Sequence, residues 1–217
     1  MPPLSIVGVC MRIGVLAAAL ALFVAAHGPQ AEPFAMPPLY EGLEKTAEVL
    51  EADAAFVAKA LASHGNDPVR AAQTWIDIAW EAIGNGDGET AVRRLNQAYL
   101  IRPNEPGVPF GLMIATHVRG DDPEVTDRFY AQSLEAMTPA AQKFAHMDYA
   151  RILGERGDFP AAISTVRLEA DQPQPDIRAL ELLMHLCNGI GDHQCFEEAN
   201  MRFWERREEV SGGIGTN

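Results

Sequence analysis

The sequence predicts an all-α protein, a solenoid of about four helical hairpins preceded by one amphipathic helix. The dipeptide Gly-Asp occurs four times, at Gly86-Asp87, Gly120-Asp121, Gly157-Asp158 and Gly191-Asp192, with spacings of 34, 37 and 34 residues. A period of this length belongs to stacked helix-turn-helix units. Each Gly can end a helix without steric cost, and the Asp after it can cap the next helix by accepting free backbone N–H bonds. Around these pairs apolar residues recur at helical spacing. The 217 residues are 47% apolar, enough to build the core of one compact domain or one short solenoid.

The first element, residues 1–26, reads as an export signal. Arg12 precedes an uncharged apolar run, Ile13 to Ala26, which has the length of a signal core and is short for a membrane span. Val24-Ala25-Ala26 supplies small residues ahead of a cut. Met11 fits a true start, because the ten residues before it carry no charge, and that start would remove Cys10. Export places the mature chain in a periplasm or outside the cell, with no membrane attachment after cleavage. Losing the signal takes Arg12 and moves the formal net charge from −13 to −14. This balance argues against nucleic acid, whose phosphate backbone is held by Lys and Arg, and against an anionic membrane surface.

Residues 27–38, rich in Pro and small residues, read as a linker. Over 39–63, Tyr40, Leu43, Ala47, Leu50, Ala54, Val57 and Leu61 keep 3-4 spacing and make one apolar stripe on a helix. Packing on the array and self-association, as a weak homodimer or a self-assembling structural protein, both fit that stripe. Gly65-Asn66-Asp67-Pro68 stops this helix and starts an array over 66–208. In the first hairpin Trp75, Ile78, Ala79 and Ala82 face Ala91, Leu95 and Ala98. The alanines let the helices approach and the larger residues fill the wider gaps. The second hairpin carries Leu112, Met113, Gly120, Phe129 and Leu134. The third carries Tyr149, Ala150, Leu153, Gly157, Ala162, Val166 and Ala170. The fourth carries Leu180, Leu183, Gly191 and Phe196, with Trp204 on its second helix. The Gly-rich end, 209–217, reads as a flexible tail.

The stretch Ala79-Trp80-Glu81-Ala82-Ile83 through Gly86-Asp87, and on through Thr90-Ala91 to Ala98 and Pro103, resembles the tetratricopeptide repeat (TPR). It is also similar to a group of exported bacterial TPR proteins. The resemblance implies a right-handed solenoid whose first helices line a concave groove, and a non-enzymatic scaffold or adaptor that binds a protein or peptide partner there. In register, the groove positions include Ile76 and Trp80 in the first hairpin, and Phe110, Ile114 and His117 in the second. Met147 and Arg151 follow in the third, and His185 in the fourth. Trp80, Phe110, Ile114 and Met147 would form an apolar strip and Arg151 a cationic handle, residue types that often anchor interfaces. The 39–63 helix could instead lie over this strip.

Cys187 and Cys195 straddle the turn of the fourth hairpin. Without Cys10 they are an even pair in an oxidising compartment, where a hairpin can bring them within disulfide reach. Two free thiols are the alternative. A third reading, a metal-binding or enzyme-accessory protein, would use His185, Cys187, His193 and Cys195 on zinc, although residues two apart on a helix do not face the same way. The run Asn85-Gly86-Asp87-Gly88-Glu89 lacks the ligands of a calcium loop and reads as a turn with a helix cap. No phosphate loop, nucleophile elbow or catalytic set is present, and no cofactor is implied.

Overall fold

The structure, a computed structural model, describes residues 36–212. The predicted signal, the linker as far as residue 35 and the tail after residue 212 lie outside the described residues. The described chain forms α1 (Ala47–Ser63), α2 (Pro68–Gly84), α3 (Gly88–Ile101), α4 (Gly107–Arg119), α5 (Pro123–Ala136), α6 (Pro139–Glu155), α7 (Phe159–Ala170), α8 (Ile177–Gly189) and α9 (His193–Gly212). Helices pack in successive antiparallel pairs, α2 with α3, α4 with α5, α6 with α7 and α8 with α9, and α1 precedes them. This is an all-α helical-hairpin solenoid, compatible with a helical repeat.

The turns follow the Gly-Asp logic in three of four places. Gly86, Gly157 and Gly191 take φ of 74°, 82° and 70°, the left-handed region open to glycine. Asp87 then accepts from Thr90 N at 2.9 Å, Asp158 from Ala161 N at 3.2 Å, and Asp192 from Cys195 N at 3.0 Å. The second turn differs. Gly120 ends α4 at φ 82°, but Asp121 turns back onto the Arg119 guanidinium at 2.7 and 2.6 Å, and Asp122 caps α5 through Glu124 N at 3.1 Å. An adjacent Arg thus captures the first carboxylate, and Pro123 at the start of α5 fixes the cap one residue later.

The first helices of successive hairpins also touch one another, α2 with α4, α4 with α6 and α6 with α8. The repeat resemblance puts the groove on this row of first helices. Ala79, Ala91 and Ala98 are fully buried, as close approach requires, beneath Leu95, Leu112, Met113 and Phe129. The last two hairpins have their own cluster, built on Ala150, Val166, Leu180 and Leu183.

The N-terminal helix begins at Ala47 rather than residue 39. Thr46 caps it by accepting from Val49 N at 3.3 Å. Residues Pro38–Tyr40 form a single 3-10 turn in which Leu39 and Tyr40 have φ of 53° and 59°, so Tyr40 and Leu43 leave the helical stripe. The inward face of α1 is Phe56, Val57, Ala60 and Leu61, packed on Ala71, Ala72, Trp75 and Ile101. Trp75 packs both on the α2–α3 core, as expected, and on α1, with its ring 5.2 Å from that of Phe56. Two boundaries also shift. Pro38 is buried against the array rather than part of a free linker, and α9 runs to Gly212, past the predicted end of the array.

Candidate functional site

The row of first helices presents its side chains in two zones. In the first, Trp80 of α2 and Phe110 of α4 stack with ring centroids 5.5 Å apart and planes tilted by 54°. Both are half-buried, as is Ile114 one turn further along α4. These three form the expected apolar strip. Ile76 and Met147 do not join it, being only 2% and 6% exposed. Ile76 lies under the start of α4, where a Cβ added to Gly107 would stand 3.1 Å from its Cδ1. Met147 points into the cluster of the last two hairpins. The half-exposed face of these helices thus lies a fraction of a helical turn from the register positions Ile76 and Met147.

α1 packs against α2 and α3, meeting α2 through Ala71, Ala72 and Trp75. This helix therefore does not lie over the strip as the alternative expectation had it.

The second zone is polar at its rim. His117 Nε2 of α4 meets Glu155 Oε2 of α6 at 2.7 Å, tying neighbouring first helices together. Beyond it, a cleft of about 340 Å³ between α6 and α8 is lined by Arg151, Gly154, Glu155, Phe159, Leu182, His185 and Leu186. A Cβ on Gly154 would come within 2.8 Å of Leu186 Cδ2, so glycine there permits the close approach that forms the cleft floor. Arg151 is exposed and held by Asp148 at 2.5 Å. Phe159, Leu182 and Leu186 supply an apolar floor, with Arg151, His185 and Glu155 at the rim. Sequence reasoning found Arg151 and His185 but missed Gly154, Phe159 and both leucines. The available signal was Gly154 itself, a glycine inside a helical apolar pattern.

Cys187 and Cys195 sit at disulfide distance, with Cα atoms 5.7 Å apart across the α8–α9 turn. His185 and His193 are exposed beside them. Among the described residues no three His, Cys, Asp or Glu side chains gather as metal ligands, and no helix is long and apolar enough to cross a membrane.

Two of the strongly shifted tyrosines lie where α5 meets α6, and the third, Tyr40, is pushed up to about 12 by burial, with Asp53 nearby, in the N-terminal 3-10 turn. The rings of Tyr130 and Tyr149 stack at 3.8 Å, and the Tyr130 hydroxyl lies 2.7 Å from His146 Nδ1. Burial, with Glu169 nearby, pushes the Tyr130 hydroxyl up to about 12. Tyr149 is also raised, by burial and then by the Asp127 carboxylate. Burial pulls His146 down, against the opposing charge of Glu169.

Comparison with known protein families and with curated proteins finds no match for this chain. The cysteine pair at disulfide distance is compatible with an oxidising, exported compartment.

Proposed function

We propose that this chain is an exported, non-enzymatic, TPR-like scaffold or adaptor that binds an extended segment of a protein partner along its concave row of first helices. One observation carries the reading: Trp80, Phe110 and Ile114 remain half-exposed on adjacent first helices, in line with a cleft that has an apolar floor and Arg151 at its rim. Aromatic residues and Arg in a partly desolvated groove are the usual anchors of a peptide interface. The segment that fits places one apolar side chain on Phe159 and Leu182 and an acidic group beside Arg151 and His185. The non-enzymatic part of the reading rests on the likeness to TPR scaffolds carried by the first hairpin.

The test is photo-crosslinking in the native envelope, with the crosslinker at Ile114 or His185 of the groove, or at Leu168, an exposed residue of the second helix α7. The reading expects one partner band at both groove positions and none at Leu168, and loss of that band in Arg151→Glu. A band at Leu168 alone, or one indifferent to Arg151→Glu, sinks it.

Self-association through α1 is a second reading, favoured by the exposure of Val49 and Leu50, at 44% and 54%, on a helix that buries only its second half. Light scattering at high concentration separates the two, and a mass that stays monomeric removes self-association.

A further inference from the structure

Asn96 stands in the middle of α3, where Asn is a poor helix former, and its side chain is fully buried. A buried amide needs partners for both its oxygen and its nitrogen. Neither partner lies in its own hairpin. Oδ1 accepts from Leu39 N at 2.7 Å and Nδ2 donates to Pro37 O at 2.9 Å, both on a segment more than fifty residues upstream. Both bonds go to main chain, so Asn96 grips the backbone of a tight turn rather than a particular side chain. Arg119 continues the grip by donating to Met36 O at 2.8 Å, while Glu89 Oε1 accepts from Met36 N at 3.4 Å. Arg119 and Glu89 are themselves paired at 2.9 Å.

We propose that Glu89, Asn96 and Arg119 form a peptide-binding cradle separate from the concave groove, whose ligand is a Pro-Pro-Leu turn with an acidic residue two positions on. The chain's own Met36–Glu41 is then a resident occupant that a partner's segment of the same chemistry displaces.

The occupant shows what the cradle selects. Only the N–H groups of Met36 and Leu39 are taken up by the cradle. Prolines at 37 and 38 have no N–H to leave unpaired. Pro37, at φ −65° and ψ 144°, holds the polyproline geometry that Pro-rich ligands adopt before binding. Pro38 is buried and Leu39 packs against the core of the first two hairpins. Glu41 meets Arg128 of α5 at 2.6 Å, which sets the acidic preference. Asn96 and Glu89 belong to a second helix, outside the row that lines the groove.

The resident segment carries a handicap. It places two successive L residues, Leu39 and Tyr40, in left-handed backbone. Leu39 takes this backbone while Asn96 accepts from its N–H, so a partner's segment shares that cost there and can be relieved of it only at the Tyr40 position, whose N–H goes to Pro37 O and not to the cradle. The resident segment holds its place through the high effective concentration of a tethered ligand.

The experiment titrates the full chain with a fluorescein-labelled peptide, Met-Pro-Pro-Leu-Tyr-Glu, and with the same peptide N-methylated at its Leu, which removes the N–H that Asn96 accepts. Leu39→Asp takes the apolar anchor from the resident segment. Saturable binding to Leu39→Asp is expected, at least about tenfold tighter than to wild type. The N-methyl peptide should bind at least about tenfold more weakly, because it leaves the buried Oδ1 unpaired. A helical Leu39→Asp chain that shows no saturable binding overturns the proposal, as does equal binding of the two peptides. If Leu39→Asp loses its helical circular dichroism, the two-peptide comparison on wild type at high peptide concentration decides in the same way.

Discussion

At Gly88 an added Cβ would stand 2.5 Å from the backbone nitrogen of Arg119 and 2.7 Å from its Cα. Main chain cannot swing aside as the end of a side chain can, so α3 opens with glycine because α4 ends against it. Gly84, the last residue of α2, would meet nothing within 4 Å. Gly88→Ala is therefore expected to destabilise the protein by about 1–3 kcal/mol, while Gly84→Ala is neutral or stabilising by up to about 1 kcal/mol. Urea unfolding of the two variants checks this, and equal midpoints would refute the steric account. The buried residues of the α5–α6 seam give a pH signature with a definite sign. The folded Tyr130 hydroxyl titrates at about 12, against about 10 in an unfolded chain. The unfolded state releases its proton first, so stability is whole below about pH 10 and declines as pH rises toward 12. His146 works from the other side. Burial depresses it below its unfolded value of about 6.5, so the unfolded state binds the proton first and stability falls as pH drops below that value. A thermal midpoint that stays flat from pH 7 to 5 in wild type, or an equal acid slope in His146→Phe, would contradict the assignment to His146.

The hairpins were legible because their signals are local. A glycine free to take positive φ, an Asp cap and a run of apolar residues at helical spacing all act within one turn of chain. The misses depend on what a helix meets across space. Ile76 and Trp80 are four residues apart on α2, yet only Trp80 reaches the groove, because α4 begins directly over Ile76. No periodicity in α2 contains the crossing geometry of α4. Asn96 gives no local sign of its role, since both its partners lie more than fifty residues away. Asp121 was misread as a cap because a side chain two residues back competes for it. The cysteine pair was legible, since a hairpin turn limits how far its ends can separate. It closes a loop with a sequence separation of 8 across the α8–α9 turn, and chain-entropy reasoning for so short a loop gives about 2–3 kcal/mol of stabilisation. The double variant Cys187→Ala/Cys195→Ala should lose that amount in urea unfolding. Wild-type protein treated with reductant should shift to match it. Reductant that leaves the wild-type midpoint unchanged, with both thiols already open to alkylation in exported protein, would remove the bridge from the stability account.

Across the whole molecule the core is divided. One cluster runs through the first two hairpins and a second through the last two, and Tyr149 packs against both. Besides Ile152, which reaches back into the first cluster, the ties include the Tyr130–Tyr149 stack, the Tyr130–His146 and Gln142–Leu134 hydrogen bonds at 2.7 Å each, the Arg156–Asp127 pair at 2.7 Å and the His117–Glu155 bridge at 2.7 Å. A stacked array unfolds as one unit only while each interface is strong enough to couple its neighbours. Here the coupling across α5 and α6 rests on a few polar and aromatic contacts rather than on a continuous apolar layer. The stack is worth about 1 kcal/mol beyond its buried area, so Tyr149→Ala should weaken the seam more than either cluster. The chain provides its own reporters, with Trp75 and Trp80 in the first hairpin and Trp204 on α9. In a Trp204→Phe background, tryptophan fluorescence follows the first half alone, whereas circular dichroism follows all helices. The two signals should coincide in urea for the parent and separate when Tyr149→Ala is added. Coincident transitions in both proteins would mean that the two clusters form one cooperative unit and that the seam is no weaker than its flanks. The same arrangement bears on the proposed groove, which runs from Trp80 in the first half to His185 in the second. A segment bound along its full length must cross the seam, and binding that requires both halves in register raises their coupling. A bound partner segment should therefore bring the separated transitions of Tyr149→Ala back together, whereas a ligand confined to the Arg151 cleft should raise only the second.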